Sequence, residues 1–231
     1  MRKTKEVFPP HESLQIGILL ALVGGFLDAY TYLTQGGVFA NAQTGNMVLC
    51  GISAAQGKWD RVGFYLIPIG AFAVGVLVTQ WVQKFAGKLN LEQWRHLVLV
   101  GETLLLLVIG CLPAGIPHAV VNVTVSFVCS MQVQAFRKLA GTPYATTMCT
   151  GNLRSATEHI FVFLTSHEPS AGKKAVRYLV IILSFCVGAA AGSLFSQLWG
   201  QRSVWICCIL LIGTQISLFW WEKVAPTEKV H

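Results

Sequence analysis

Charge is what this sequence has least of. Only 12% of its 231 residues are Asp, Glu, Lys or Arg, while 54% are hydrophobic, and the mean hydropathy is +0.58. A soluble domain usually carries about 25% charged residues, so the deficit argues against a soluble α/β domain, although the length alone allows one. Signatures of chemistry are missing too. The seven cysteines, Cys50, Cys111, Cys129, Cys149, Cys186, Cys207 and Cys208, form no CxxC pair and sit mostly in apolar runs. They read as small buried hydrophobes and not as zinc ligands. Neither HExxH nor GxSxG occurs. That argues against a membrane-embedded enzyme, although Asp28, Glu102, Glu158 and His159 are residues able to do acid–base work. No metal or cofactor is expected. The net charge is +7, yet no basic cluster with interleaved aromatics accompanies it, so a nucleic-acid partner is rejected. Period-2 alternation is absent, and a membrane barrel with it.

What the sequence does have is long apolar runs. They lie near residues 13–35, 62–86, 95–115, 117–137, 175–199 and 203–221. Each approaches the roughly 20 residues a helix needs to cross about 30 Å of hydrocarbon. Backbone groups in lipid must be satisfied internally, so helices are expected. The start, "MRKTKEVFPPHESLQIGILLALVGGF", resembles a signal peptide. It reads as retained, because the run continues through Asp28 and its end matches the second half of the chain. Asn122-Val123-Thr124 fits a glycosylation sequon but lies inside a predicted span, so it is disregarded.

Two segments interrupt this pattern in the same way. Thr44-Gly45-Asn46 returns as Thr150-Gly151-Asn152, 106 residues later. At that offset Asp28-Ala29-Tyr30 falls on Gln134-Ala135-Phe136 without a gap. "FAVG" at 72–75 matches "FCVG" at 185–188, now at an offset of 113, which places seven extra residues in the loop "TSHEPSAGKKAVR". Each half reads span, broken segment, span, span. Three full spans are an odd number, so the halves are expected to be inverted, the layout of many transporter folds. The expectation is one all-α, polytopic membrane domain over 1–231. It has six transmembrane helices plus two broken or re-entrant segments, with one repeat at 13–115 and the other at 117–221.

Positive charge chooses between six spans and eight. With six, fourteen Lys and Arg lie on the side of the N-terminus and three, Lys58, Arg61 and Arg202, on the other. With eight, the split is ten to six and Arg154 is stranded in the bilayer. The positive-inside rule favours six, with both termini cytoplasmic. The tryptophans, Trp59, Trp81, Trp94, Trp199, Trp205, Trp220 and Trp221, fall at or near span ends, where amphipathic rings sit at the headgroups.

The stretches "GGFLDAYTYL", "GGVFANAQTGNMVLCG" and "YATTMCTGNLRSA" resemble the YoaK family, a group of six-helix membrane proteins without an assigned function. The resemblance covers nearly the whole chain and implies a multi-pass membrane protein. It brings no substrate or site residues. The amide-rich run with Asn41 and Gln43 departs from what the family leads one to expect before the motif.

Site candidates therefore come from the residues. Gly costs about 1 kcal/mol in a helix interior and Asn is a favoured N-cap. The expectation is a half-helix ending near Gly45 and another opening at Asn46, with the same break at Gly151 and Asn152. Each opening presents free N–H groups and a positive dipole end that attract an anion, while preceding carbonyls suit a cation. Thr44 and Thr150 add hydroxyls. Tight turns capped internally are the alternative. The two tips are expected to lie close together. Asp28 shares a helical face with Gly24 and Gly25, which invites close packing. It reads either as a proton or cation site or as a cap for backbone donors. Arg154 and Glu158 have salt-bridge spacing. They read as a self-neutralising pair, or Arg154 as an anion contact or gate. Glu102 lacks a neighbouring cation and is expected to pair with Arg154 or His159. Gln132 and Gln134 read as interhelical hydrogen-bond formers. The best-fitting function is a small transporter or channel-like permease for a small solute or ion, sited in a cell membrane (the inner one in a bacterium). A scaffold or partner subunit is the alternative, and homo-oligomerisation is compatible with either.

Overall fold

The computed structural model describes residues 8–224 apart from 90, 92, 114, 145 and 148. Arg2, Lys3, Lys5 and Lys229, which belong to the charge count above, lie outside the described residues. A helix covers each apolar run: α1 (Leu14–Thr34), α3 (Trp59–Lys88), α4 (Trp94–Cys111), α5 (His118–Ala135), α7 (Pro169–Trp199) and α8 (Trp205–Val224). Two further helices, α2 (Gln43–Ala55) and α6 (Cys149–Ser166), carry the repeated motif. Four helical stretches are long and apolar enough to cross a membrane: Leu14–Thr34, Trp59–Lys88, Trp94–Cys111 and Pro169–Val224. The last contains α7 and α8 with a short 3-10 turn between them.

α1 is apolar all round, the mark of a helix at the centre of a bundle. Ile16, Leu20, Val23, Phe26, Leu27 and Tyr30 are all buried. Small residues set how closely its partner approaches. A Cβ at Gly25 would run into the carbonyl oxygen of Phe185, and one at Gly188 or Gly192 would meet the backbone of Leu22 or Phe26. Backbones therefore touch directly between α1 and α7, which is how helices associate where lipid offers no hydrophobic drive. The same device joins α3 to α5, where a Cβ at Gly75 would strike Ser130 and the Phe127 carbonyl.

The packing follows one rule. α1 lies mainly on α7, and α5 on α3; α2 lies on α3, and α6 on α7; α4 touches α5, and α8 touches α1; α4 and α8 pack on each other. Exchanging the first four helices for the last four turns this set of pairs into itself.

The seven extra residues of the second half are not a loop insertion. α6 has 18 residues against 13 in α2, and α7 begins at Pro169, so only His167 and Glu168 separate them. Pro169 suits a first helical turn, where no N–H is needed, and this converts the expected loop into helix. Leu66, Leu77, Leu183, Leu194, Ile209 and Ile216 are among many large apolar side chains on the outer surface, far more than a water-soluble surface carries in one patch. Six of the seven tryptophans are exposed, but Trp94 is buried. Its ring lies under the Arg95 guanidinium, 4.7 Å from the centroid, so it is a packing residue and not a headgroup anchor. Of the cysteines, Cys129, Cys207 and Cys208 are buried as expected, whereas Cys111 and Cys186 are exposed.

Candidate functional site

α1 ends at Thr34, and after its C-cap Gln35 come Gly36 and Gly37 with φ of 83° and 81°, a conformation that residues with a Cβ rarely adopt. They turn the chain into a non-helical strap over residues 35–42. α2 then starts at Gln43 and not at Asn46. No half-helix precedes it. Asn46 sits in the first turn, buried, and its amide reaches back. Phe39 N donates to Asn46 Oδ1 at 3.0 Å, and Asn46 Nδ2 donates to Phe39 O at 2.7 Å and to Gln43 Oε1 at 2.8 Å. A side-chain amide has the same donor and acceptor as a peptide, so Asn46 pairs with the strap as a second backbone would. It is a clasp and not an N-cap. In α6, which starts at Cys149, the motif occupies the same turn. Asn152 is buried like Asn46, while Thr44 and Thr150 point outwards. The threonine hydroxyls therefore add nothing to an interior site.

The strap that leads into α2 already has a carboxyl group against its backbone donors. Asp28 is buried, and its Oδ1 accepts from Asn41 N at 2.6 Å. The N–H groups of Ala40 and Ala42 also face the carboxylate. The chain thus supplies from α1 an acceptor for the backbone N–H groups of residues 40–42, just ahead of the helix. Asp28 faces the protein interior beside the first motif, and the geometry is that of a cap.

What meets at the centre are the straps. Asn41 Nδ2 donates to Gly24 O at 3.1 Å. A Cβ on Gly24 would strike the Thr147 methyl and come within 3.8 Å of Asn41 Nδ2. Asn41 and Thr147 are themselves 106 residues apart, so equivalent points of the two halves converge on one glycine. Gln132 joins them, with Nε2 donating to Leu20 O at 3.2 Å and to Thr146 Oγ1 at 3.3 Å. That agrees with its expected interhelical role. Asn41 Oδ1, Gln132 Oε1 and Thr147 Oγ1 are buried without a hydrogen-bond partner among the described residues. Orphaned buried polar atoms are rare and call for water, an ion or a ligand. Of these residues the sequence reading singled out Asn41 only as a departure and left Thr146 and Thr147 unmentioned. The signal was present: Thr147 is Asn41 carried forward by the repeat offset.

The remaining candidates do not join this centre. Arg154 Nε and Glu158 Oε1 pair at 2.8 Å with both side chains largely exposed, a self-neutralising surface pair. His159 stacks on Tyr178 at 5.9 Å between centroids. Glu102 pairs with neither Arg154 nor His159. It is buried in the middle of α4, and neither carboxyl oxygen has a hydrogen-bond partner among the described residues. The reason is one of register: Arg154 turns outwards on α6, which packs against α7, whereas Glu102 turns inwards on α4. Among the described residues no three His, Cys, Asp or Glu side chains come together to hold a metal.

Residues 16–217 match the family described as "Protein of unknown function (DUF1275)". The chain belongs to this DUF1275 family. It is 27% identical over 207 residues to the UPF0700 transmembrane protein YoaK of Bacillus subtilis (strain 168), covering 86% of this chain and 91% of that one. No solved structure matches the chain. Together with the apolar helices and the apolar outer surface, membership of DUF1275 makes this an integral membrane protein.

Proposed function

We propose that this DUF1275 protein is a small transporter or channel-like permease for a small solute or ion. In this reading six helices span a cell membrane, the halves are inverted repeats and both termini are cytoplasmic. One observation carries it: Asn41 and Thr147, equivalent residues of the two halves, meet at Gly24 with unpartnered polar oxygens inside an apolar bundle. The exchange pattern of helix packing supports a pseudo-two-fold relation between the halves, and transporters built from repeats bind at the repeat interface. Because Asp28 caps the strap that leads into α2, the unpartnered groups at the centre are two amide oxygens, Asn41 Oδ1 and Gln132 Oε1, and the Thr147 hydroxyl. They suit a cation or a solute that donates hydrogen bonds.

The test is flux into proteoliposomes for protons, alkali cations and a panel of small polar metabolites, with Asn41→Leu and Thr147→Val beside the unaltered protein. Uptake that falls in both variants while melting temperature is kept supports the site. A folded protein that moves none of these, and is stabilised by none, supports the scaffold instead.

A further inference from the structure

The starting end of α1 carries a second polar feature, far from apolar and unlike the centre. A cavity of about 460 Å³ opens there between the turn Pro10–Glu12, the ends of α3 and α5, the start of α4, and a two-stranded hairpin, β1 (Lys138–Leu139) and β2 (Thr142–Pro143). Arg95, Arg137 and Lys138 line it. Arg95 Nε donates to Ala135 O at 3.0 Å, which together with the Trp94 ring fixes the guanidinium and leaves its terminal N–H groups unused among the described residues. Gln134 also lines the cavity, and its Nε2 is buried without a partner among the described residues. The one acid in the wall, Glu12, accepts from Gly141 N through its Oε2 at 2.8 Å and also acts on Arg95 through its charge.

We infer that this cavity binds a phosphate-bearing anion, held by Arg95, Arg137 and Lys138 with Gln134 Nε2 as the neutral donor. Three cations and a spare amide N–H outweigh the one carboxylate of the wall, Glu12, and arginine forks match phosphate oxygens. A solvated charged surface would not need a buried orphan donor. His11, in the same wall, reports the local field. Burial, with Arg95 and then Lys138 adding to it, pushes its imidazole down to about 4. The other charged groups around it are Glu12 on its own turn and, from α8, Glu222, which is held by His96 at 3.0 Å. Lys223 lies on the same helix and is exposed. Free phosphate and the headgroup of an anionic lipid share the required chemistry, since basic pockets at helix ends also take lipid headgroups.

The inference is independent of transport, because its readout is equilibrium binding. The full-length protein is placed in nanodiscs of neutral lipid, and the His11 ring is titrated by NMR at constant ionic strength, in chloride and then in inorganic phosphate. A third sample replaces part of the neutral lipid with phosphatidylglycerol. An anion in the cavity favours protonated His11, so its midpoint should rise. A rise of about one pH unit corresponds to roughly tenfold tighter anion binding to the protonated form. A rise with phosphate in neutral lipid identifies free phosphate, and a rise only with phosphatidylglycerol identifies the headgroup. Arg137→Ala and Lys138→Ala, both at exposed positions, should each weaken the effect about tenfold, as loss of a charge-assisted hydrogen bond does. Gln134→Leu changes no charge and should also weaken it. A midpoint equal in chloride, phosphate and phosphatidylglycerol overturns the inference. So does a rise that Gln134→Leu leaves unchanged, because that is a diffuse surface field.

Discussion

The two halves close the same architectural gap by different means. In the first half the chain between α1 and α2 is a plain strap, and an acid within the half, Asp28, takes its backbone donors. In the second half the matching position is Gln134, which has no charge to offer. There the connection grows a hairpin, turning through Ala140 and Gly141 at φ of 47° and 78°. It is held from outside the half by Glu12, whose O accepts from Ala140 N at 2.8 Å and whose Oε2 accepts from Gly141 N, and from within the half by Tyr178, whose OH donates to Pro143 O at 2.7 Å. The first connection is thus capped by an acid of its own half, whereas the second borders an open, basic cavity. The helix packing is alike in the two halves while the polar interior differs, because backbone contacts at Gly25, Gly75, Gly188 and Gly192 do not depend on what fills the straps.

The comparison breaks outright if the halves are not oppositely oriented. Single cysteines at Lys58 and Lys173, in a background without native cysteines, should label from opposite sides of the membrane. Labelling of both from one side removes the inverted relation. Next in size is the packing test. Gly25→Leu and Gly188→Leu should abolish folding or cost well over the usual 1–3 kcal/mol of an overpacked core, since a backbone carbonyl cannot step aside. Gly151→Ala, which meets open space, should leave the melting temperature within about a degree or two, an effect near 0.5 kcal/mol.

Asp28→Ala should cost about 1–3 kcal/mol, the penalty for orphaning buried N–H groups, and Gln134→Ala less. Thermal unfolding of the pair measures the difference. Asp28→Asn sharpens it further: a lowered melting temperature with unchanged pH dependence of any flux marks a cap alone, whereas an altered pH profile marks a transport role. His11 gives a smaller effect confined to the second connection. Its folded-state value of about 4 lies below the ordinary 6.5, so the unfolded chain binds the proton more tightly. Its contribution is fully present above about pH 6.5 and is lost as pH falls towards 4. The melting temperature should decline over that window, and His11→Asn should flatten the decline. Smallest of all is Arg154→Ala, where an exposed i,i+4 pair contributes about 0.5 kcal/mol or less.

The sequence by itself determined the class and the helices. Long apolar runs mark helices wherever they fall, and their edges agree with the helices to within a few residues in most cases, because that information is local. The Thr-Gly-Asn repeat was equally legible, and so was the inward turn of Asp28, since a charge in an apolar helix has nowhere else to go. Tertiary structure decided what those groups touch. It made Asn46 a clasp on Phe39, gave the strap ahead of α2 to Asp28, left Glu102 without Arg154, and brought Asn41 and Thr147 to one glycine. Each of these depends on the distance between elements far apart in the chain or on the direction a strap takes after its glycines. Periodicity and spacing say which face of a helix a residue lies on, but which neighbour covers that face is fixed only when the helices pack.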